Sequence, residues 1–403
     1  MTKNKKILIV TECFYPEEFK INDIAFAWKS KGYEVDVLTL VPTYPLGKVY
    51  KGYKNLLFQK EKYKDLNIIR LKAVTGYLHS SFKKKLKYIS FMILGSITGI
   101  LIGRKYDYIF GFNMAALTDM LPAVLIHKLY KKPTMFWVQD IWPDNVYAYG
   151  FKKNAAFSYL LDFFVKFMFH NISSVAISSK GFESKLKPYT KKNISFHYAP
   201  NWADDLNLNI EPITLSKTRK VQFNFSGNIG KVQNLENIIK AYCMLSFEFK
   251  NKSQLNIIGD GSNLNCLKSL SKNNSNIIFH GQQKRENMAM YYKSSDFLII
   301  SLIDKPIFSK TVPAKTQTYI SARKPILAII NGEVADIVRE NNLGICVNPS
   351  DIDQIKKAFE KCIKMSDDEK SNYVINNSKL IKTTFNKEKI INNLTKILTN
   401  ENI

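Results

Sequence analysis

The feature that most constrains this chain is a regular alternation of short apolar segments with longer amphipathic ones. In the first half, short apolar segments predict strands at residues 7–10, 35–40, 67–71, 106–111, 133–138 and 174–177. Helical spacing of apolar residues fills the intervals between them. Alternating strands and helices predict a doubly wound α/β domain built on a parallel sheet.

A second series of the same kind follows a polar break. Apolar segments predict strands at residues 221–225, 255–258, 277–279, 297–301, 325–330 and 345–347. The polar, threonine-rich stretch up to about Lys220 has the composition of a linker. The sequence therefore predicts two Rossmann-like domains, residues 1–199 and 200–385, with a last helix at 386–403 that packs back on the first domain. Ligands of such sheets bind at the carboxyl ends of the strands.

Charge and cysteine usage narrow the possible partners and the compartment. The 59 Lys and Arg residues exceed the 34 Asp and Glu residues by 25, which favours an anionic partner such as nucleic acid, a phosphorylated metabolite or acidic lipid. Five scattered Cys residues predict no disulfide framework and indicate a reducing compartment. The five His residues are also dispersed, and no metal-ligand spacing is visible.

A glycine turn follows the first strand of the second series. Gly227, Asn228, Gly230 and Lys231 stand between that strand and the next predicted helix. Glycines let the backbone approach an anion, a helix start offers free N–H groups, and Lys231 adds charge. The pattern suits a diphosphate, although a tight strand-to-helix turn with a surface lysine explains it equally well. It does not fit a Walker A motif.

Further polar residues stand at the starts of two later helices. Lys315, Gln317 and Thr318 begin a helix just after Pro313 and are candidates to bind an anionic or hydroxyl-rich ligand. Glu333 opens the following helix, where it either binds sugar or complements the helix dipole.

In the first half, the candidates are an aspartate and two loops. Asp140 follows a strand and precedes a stiff aromatic loop, so its carboxylate is placed to orient or deprotonate an acceptor hydroxyl. The alternative for Asp140 is a structural cap. Tyr15 and Glu17 follow the first strand, and Tyr44 follows the second, so all three are expected on the acceptor side.

One basic segment adjoins an apolar one. Lys83, Lys84, Lys85 and Lys87 precede residues 88–102, which are largely apolar but shorter than the roughly 20 residues that span a bilayer. The sequence leaves two interpretations open, a buried helix and an interfacial membrane contact. The lysines favour the second, because such clusters bind acidic lipid.

Taken in order, these motifs resemble bacterial family 4 glycosyltransferases of the GT-B fold. The resemblance is greatest to the surface-polysaccharide branch that includes fucosamine-type transferases. It covers nearly the whole chain, through residues 15–17 with Asn22, 42–47, 140–144, 200–202, 226–230, 312–319, 324–325 and 332–333.

The resemblance implies two Rossmann-like domains that face each other across a cleft. It implies a metal-independent enzyme without a cofactor, which transfers a sugar from a UDP-sugar on the C-terminal domain, usually with retention. Gly227, Asn228 and Lys231 would hold the diphosphate, and the helix at Lys315 would approach the ribose and phosphates. Asp140 lies close to the position of the active-site histidine of many relatives.

The same resemblance suggests the substrates and the location. The donated sugar would be an N-acetylated hexosamine or deoxyhexosamine, and the acceptor a polyprenyl-diphosphate-linked glycan. The enzyme would lie on the inner, cytoplasmic face of the cytoplasmic membrane and bind its anionic surface, without nucleic acid as a partner.

This chain departs from the family pattern at two points. Many relatives carry two glutamates separated by seven residues, where this chain has Lys310 and Thr318. A second basic residue is usual after the glycine turn, where Gln233 and Asn234 stand here. We hypothesise that Lys310 or Lys315 supplies the missing charge.

Two other functions fit parts of the same pattern. A UDP-sugar 2-epimerase can share the fold, but would need acid and base groups around the sugar and no acceptor site. A non-enzymatic protein that binds membranes or nucleic acid would fit the charge, yet the sequence has no zinc finger, RNP-type aromatic motif or basic heptad region.

Overall fold

The computed structural model describes residues 4–114, 116–148, 154–216, 220–272 and 274–400, without the side chains of residues 79, 81, 84 and 148. The chain forms two compact units. Unit 1 comprises Met1–Pro200 together with Glu388–Ile403, and unit 2 comprises Asn201–Lys387. All five cysteines are free.

Unit 1 is built on an eight-stranded sheet with the order β3-β4-β2-β1-β5-β6-β7-β8. All neighbouring strands are parallel except β3 and β4, which are antiparallel. The strands are β1 (Lys6–Val10), β2 (Glu34–Leu40), β3 (Phe58–Tyr63), β4 (Leu66–Leu71), β5 (Tyr108–Asn113), β6 (Thr134–Val138), β7 (Ser174–Ile177) and β8 (Ser195–Tyr198).

The helices of unit 1 occupy the connections between these strands. They are α1 (Lys20–Ser30), α2 (Ser81–Ile102), α3 (Leu121–Tyr130), α4 (Asp144–Ala148), α5 (Ala155–His170) and α6 (Gly181–Leu186). The last helix of the chain, α15 (Lys387–Thr399), also contributes to unit 1. There the buried indole N–H of Trp28 donates a hydrogen bond of 2.8 Å to the Thr395 hydroxyl.

Unit 2 contains a six-stranded, all-parallel sheet with the order β11-β10-β9-β12-β13-β14. Its strands are β9 (Val221–Ser226), β10 (Ser253–Ile258), β11 (Ile277–Gly281), β12 (Phe297–Ser301), β13 (Ile326–Ile329) and β14 (Gly344–Val347). Its helices are α7 (Leu235–Cys243), α8 (Phe247–Asn251), α9 (Leu264–Leu270), α10 (Met288–Lys293), α11 (Lys315–Ser321), α12 (Glu333–Glu340), α13 (Ile352–Lys364) and α14 (Asp367–Lys382).

Both sheets have the architecture expected of Rossmann-like domains. Strands β1, β6 and β12 are buried throughout or nearly so. A parallel strand covered on both faces is buried in this way, and its sequence is therefore largely apolar. In each sheet the strand order reverses beside the first strand, between β1 and β5 in unit 1 and between β9 and β12 in unit 2. Such switch points are where ligands of this architecture bind.

Several elements differ from the sequence prediction. The strand predicted at residues 106–111 lies at Tyr108–Asn113, because the Tyr106 N–H closes the preceding 3-10 turn by donating to the Gly103 carbonyl at 3.3 Å. Strands β3 and β8 were not predicted: β3 is a polar edge strand, and β8 has only four residues.

Residues 201–216, which belong to the predicted linker, form irregular chain, and residues 217–219 lie outside the described residues. Its main chain is bound to unit 2. The Gln254 amide donates to the Leu215 carbonyl at 2.8 Å, and the Lys293 ammonium donates to the Ile210 carbonyl at 2.6 Å. These bonds satisfy carbonyl groups that lack a helix or strand partner.

Candidate functional site

The glycine turn after β9 packs closely against the turn after β10. The Gly227 N–H donates to the Ile258 carbonyl at 3.0 Å, and the Ile229 N–H donates to the Asp260 carbonyl at 2.8 Å. A Cβ atom at Gly259, which has φ +139°, would lie 1.9 Å from the Gly227 carbonyl oxygen. A side chain there is sterically excluded, so the close approach of the two turns requires this glycine.

Residues 227 and 228 of this turn are exposed at the carboxyl edge of the unit 2 sheet. Lys231 is also exposed and begins a short 3-10 turn, Lys231–Gln233, that precedes α7. The predicted diphosphate residues Gly227, Asn228 and Lys231 therefore lie on one accessible turn at the switch point of unit 2.

The structure places Lys315, the first residue of α11, beside the glycine turn. A Cβ atom built on Gly227 would lie 3.3 Å from Lys315 Nζ, and Nζ lies 4.0 Å from the centroid of the Phe225 ring. Nζ is buried and has no hydrogen-bond partner among the described residues. Burial lowers the pKa of Lys315 to about 7, since no anion compensates for the lost hydration.

Two tyrosines hold the end of β9 in place next to Lys315. The Tyr319 hydroxyl accepts a 2.9 Å hydrogen bond from the Ser226 N–H and lies 3.0 Å from the Ser226 hydroxyl. The Tyr292 hydroxyl lies 3.2 Å from the same Ser226 oxygen. Because these groups are buried and mutually satisfied, they fix α11 to the strand that carries the turn.

The other predicted donor residues have protein partners. The Thr318 hydroxyl donates to the Asp204 carboxylate at 2.5 Å. The buried Gln317 amide donates to the carbonyls of Pro313 and Ala314 in the orientation that satisfies its neighbours. Both contacts stabilise α11 and its surroundings.

Glu333 is the first residue of α12 and is half-buried. It follows Gly332, whose φ is +81° and whose Cβ would lie 2.0 Å from the Ser309 carbonyl oxygen. Gly332 therefore lets α12 begin directly against the chain segment that leads to Lys310 and α11.

In unit 1, Glu17 links the loops that follow β1 and β2. Its buried carboxylate accepts hydrogen bonds from the N–H groups of Thr43 at 2.8 Å, Tyr44 at 2.6 Å and Phe14 at 3.2 Å. Burial raises the pKa of Glu17, and these N–H donors oppose the shift. Glu17 thus positions the predicted acceptor loops by holding their main chains.

Tyr15 and Tyr44 differ in their surroundings. The Tyr15 ring stacks on Tyr63 with centroids 3.8 Å apart. Tyr44 remains 46% exposed, and its ring centroid lies 5.5 Å from that of Phe19. Of the two, Tyr44 has the ring surface available to a ligand.

Asp140 lies two residues beyond the end of β6. Burial raises the pKa of Asp140 to about 7, and a hydrogen bond from Asn145 opposes the shift. The neighbouring Asp144 forms a 3.1 Å salt bridge with Lys185. A carboxyl group that titrates near neutral pH is suited to proton transfer or to orienting a hydroxyl.

A buried charge cluster at the end of β1 was missed in the sequence. Lys87 Nζ lies 2.6 Å from Glu12 Oε1, and both side chains are almost fully buried. Burial alone would lower the pKa of Lys87, but the Glu12 charge, the hydrogen bond to Glu12 and the neighbouring Cys13 and Tyr77 together outweigh burial and raise that pKa. Burial and the Glu12 charge raise the pKa of Asp119 well above its usual value.

This cluster corrects one part of the sequence prediction. Lys87 belongs to the basic segment that favoured a lipid-binding surface, yet it points into unit 1 and forms an ion pair there. The sequence spacing is consistent with an inward Lys87. It lies four residues before the fully buried Phe91, so the two side chains are on the same face of the helix. Over the described residues, no group of three or more His, Cys, Asp or Glu side chains is placed to hold a metal ion.

Comparison with protein families places the glycine turn and Lys315 in a known kind of domain. Residues 208–401 match the family model described as Glycosyl transferases group 1. The match covers unit 2 from residue 208 onward together with the last helix, so it contains both the glycine turn and Lys315. The match supports the glycosyltransferase part of the sequence prediction, whereas the fucosamine-type branch stays a prediction.

Individual relatives agree with this domain. The chain is 25% identical over 261 residues to WbjE of Pseudomonas aeruginosa, named as a glycosyltransferase, covering 62% of this chain and 64% of WbjE. It is 26% identical over 230 residues to WcaI of Escherichia coli (strain K12), named as a colanic acid biosynthesis glycosyl transferase, covering 53% and 55% respectively. The chain thus spans less than two thirds of the length of these relatives.

Solved structures share the fold at low sequence identity. Sucrose-phosphate synthase from Thermosynechococcus elongatus superposes with a TM-score of 0.73 at 15% identity, covering 98% of this chain and 99% of that one. Alr3699/HepE from Anabaena, solved with UDP and glucose, gives 0.65 at 11% identity, covering 98% and 100%. The predicted α/β fold class, GT-B with two Rossmann-like domains, is confirmed.

Proposed function

We propose that this protein is a glycosyltransferase that moves a sugar from a UDP-sugar to a lipid-linked glycan during surface-polysaccharide assembly. The observation that carries the proposal is Lys315, a buried amine without a partner beside the glycine turn of the glycosyl transferases group 1 domain. A buried cation without a counterion is costly, and a bound diphosphate would relieve that cost.

The donor chemistry follows from this site. Transfer breaks the bond between the anomeric carbon and the diphosphate, and negative charge develops on the departing UDP. Lys315 and the main-chain N–H groups of the glycine turn would stabilise that charge. We propose that no metal is required, and that the Lys315 charge replaces the second basic residue that relatives carry after the glycine turn.

On the acceptor side, we assign Asp140 the role of orienting the hydroxyl that attacks the anomeric carbon. Glu17 positions the two neighbouring loops, and Tyr44 offers an exposed ring. We further propose retention at the anomeric carbon, an N-acetylated hexosamine or deoxyhexosamine as the sugar, and a polyprenyl-diphosphate carrier. The site of action would be the inner face of the cytoplasmic membrane, as the large positive charge favours.

A panel of UDP-sugars tests the donor half of the proposal. A ligand that binds only the native state raises the melting temperature, by an amount equivalent to about 2.7 kcal/mol when its concentration is 100 times the dissociation constant. At least one UDP-sugar should do so with EDTA present. If no uridine nucleotide stabilises the protein, the proposal is wrong.

A transfer assay tests the acceptor half. With the stabilising UDP-sugar and a polyprenyl-diphosphate-linked glycan, UDP release should require the acceptor and yield a glycan one sugar longer. Asp140→Asn should lower turnover by about 100-fold or more. Conversion of the UDP-sugar alone into its 2-epimer would instead establish the epimerase.

A further inference from the structure

Helix α2 exposes one continuous apolar face. Six of its apolar residues are between 41% and 78% exposed, and they recur at intervals of three or four, which places them on a single face of the helix. We call these residues the apolar stripe: Phe82, Leu86, Ile89, Ile93, Ile97 and Leu101. A contiguous exposed apolar surface of this kind is typical of an interaction site.

The opposite face of α2 is packed into unit 1. Cβ atoms at Gly95 and Gly99 would lie 2.9 Å and 3.2 Å from side-chain atoms of Pro122 and Ile126 on α3, so the two helices are in close contact. Lys87, on the same helix, forms its ion pair with Glu12 inside the unit. The segment Lys85–Lys105 is long and apolar enough to cross a bilayer. A crossing would, however, break this packing and carry Lys87 into lipid without its partner.

The exposed apolar surface extends beyond α2 to the loop after β2. A Cβ atom at Gly47 would lie 2.6 Å from Leu78 Cγ, and the Gly76 N–H donates to the Gly47 carbonyl at 2.7 Å. Leu46 and Leu78 are themselves about half exposed, at 48% and 55%. The apolar surface thus leads from α2 to the loop that carries Tyr44.

Basic residues at both ends of the stripe favour an anionic lipid surface over a second copy of the chain as its partner. Lys83 and Lys85 are exposed near the start of α2, and Arg104 is exposed just after its end. Two copies of the chain joined stripe to stripe would bring these basic ends together in either orientation, which is unfavourable. An anionic lipid surface complements the same ends and also accepts apolar side chains.

We propose that the apolar stripe, together with Leu46 and Leu78, docks into the headgroup layer of an anionic bilayer with the α2 axis parallel to the membrane plane. This placement rests on the proposed function in one respect: it brings the lipid-linked acceptor to the loop that carries Tyr44. The helix lies on the membrane and does not span it.

Vesicle flotation of the full chain tests the surface. The wild-type protein should float with phosphatidylcholine vesicles that contain about 30% phosphatidylglycerol, and much less with pure phosphatidylcholine. Ile93→Ser with Ile97→Ser should weaken binding by about tenfold or more. The matched control is Phe247→Ser with Ile375→Ser, which alters two exposed apolar residues of unit 2 and should bind like wild type.

A second pair separates the charge contribution. Lys83→Gln with Lys85→Gln should reduce binding to anionic vesicles only, whereas Lys191→Gln with Lys192→Gln, two exposed lysines elsewhere in unit 1, should change it little. The melting-point shift with the stabilising UDP-sugar, measured on every variant, shows that each is folded.

Three results would overturn the inference. These are equal flotation of the stripe variant and its control, resistance of the bound wild-type chain to alkaline carbonate extraction, and a wild-type dimer that the stripe substitutions dissociate. Vesicle binding that survives while no UDP-sugar binds would overturn the proposed function and leave the surface intact. UDP-sugar binding without vesicle binding would overturn the membrane surface and leave the proposed function intact.

Discussion

Each unit of this protein contains a lysine whose ammonium group is buried and lies over an aromatic ring. In unit 1, Lys87 Nζ is 4.4 Å from the Tyr77 ring centroid, and in unit 2, Lys315 Nζ is 4.0 Å from that of Phe225. Lys87 has the Glu12 carboxylate at 2.6 Å, whereas Lys315 Nζ has no hydrogen-bond partner in the described chain. The pKa of Lys87 is accordingly raised and that of Lys315 lowered.

The difference distinguishes Lys87, whose charge is paired within the fold, from Lys315, whose charge would be paired by a ligand. A buried ion pair is satisfied within the fold, and removing one member leaves an uncompensated charge. A buried amine without an anion has lost its hydration, and a ligand that brings the anion would offset that cost. On this account Lys87 stabilises unit 1, and Lys315 binds the donor diphosphate.

The largest expected effect is on stability, from Lys87→Met. Glu12 would remain buried without its partner, so the free energy of unfolding should fall by about 3–5 kcal/mol. Urea denaturation measures this loss. Lys85→Met, at an exposed position of the same helix, is the control and should change stability little. A loss below about 1 kcal/mol for Lys87→Met would mean that the ion pair is not structural.

Lys315→Met should show the opposite pattern. Affinity for the stabilising UDP-sugar should fall by about 10-fold to 100-fold, because a charged hydrogen bond to the diphosphate is lost. Stability should be unchanged or higher, since methionine fills the site without desolvating an amine. Calorimetric titration measures the affinity, with Lys305→Met at an exposed site as control. If Lys315→Met were unfolded, Lys315 would be needed for stability, as Lys87 is, and the difference between the two lysines would be wrong.

The pH dependence sharpens the comparison. The free protein holds Lys315 with a pKa near 7, so affinity for a UDP-sugar should decrease as the pH rises from about 7, by up to tenfold per unit. The free energy of unfolding should instead increase with pH. Between about pH 7 and the ordinary lysine pKa, Lys315 binds more protons in the unfolded state than in the folded state, so raising the pH in this range favours the folded state. Both trends should be weaker in Lys315→Met, and a pH-independent affinity of the wild type would contradict the account.

The smallest expected effect concerns Thr318, which the family resemblance places near the ribose. Its hydroxyl is bound to Asp204, so Thr318→Val should cost about 1 kcal/mol of stability. UDP-sugar affinity should change less than about threefold, as a weak indirect effect of α11. A larger loss of affinity would assign Thr318 to the donor site directly.

The sequence was sufficient for the fold because most strands are buried on both faces and are apolar throughout. It was insufficient for β3, whose exposed Lys60 and Lys62 alternate with half-buried residues at the sheet edge. An edge strand gives no such continuous apolar signal.

For the candidate site, the sequence indicated which loops to examine but not the state of their charges. Lys315 was a candidate because it lies at a helix start. The burial of its ammonium group, however, results from packing against Phe225 and Gly227, which are distant in sequence. Lys87 looked like its surface neighbours, because composition does not tell which lysine of a basic segment turns inward.

The most direct test is an NMR titration of the Lys315 side chain, assigned by comparison with Lys315→Arg. In the free protein its pKa should lie near 7, and saturation with the stabilising UDP-sugar should raise it to at least the ordinary lysine value, since the diphosphate favours the ammonium form. An unchanged pKa at saturation would show that the diphosphate does not bind at Lys315 and would contradict the central claim.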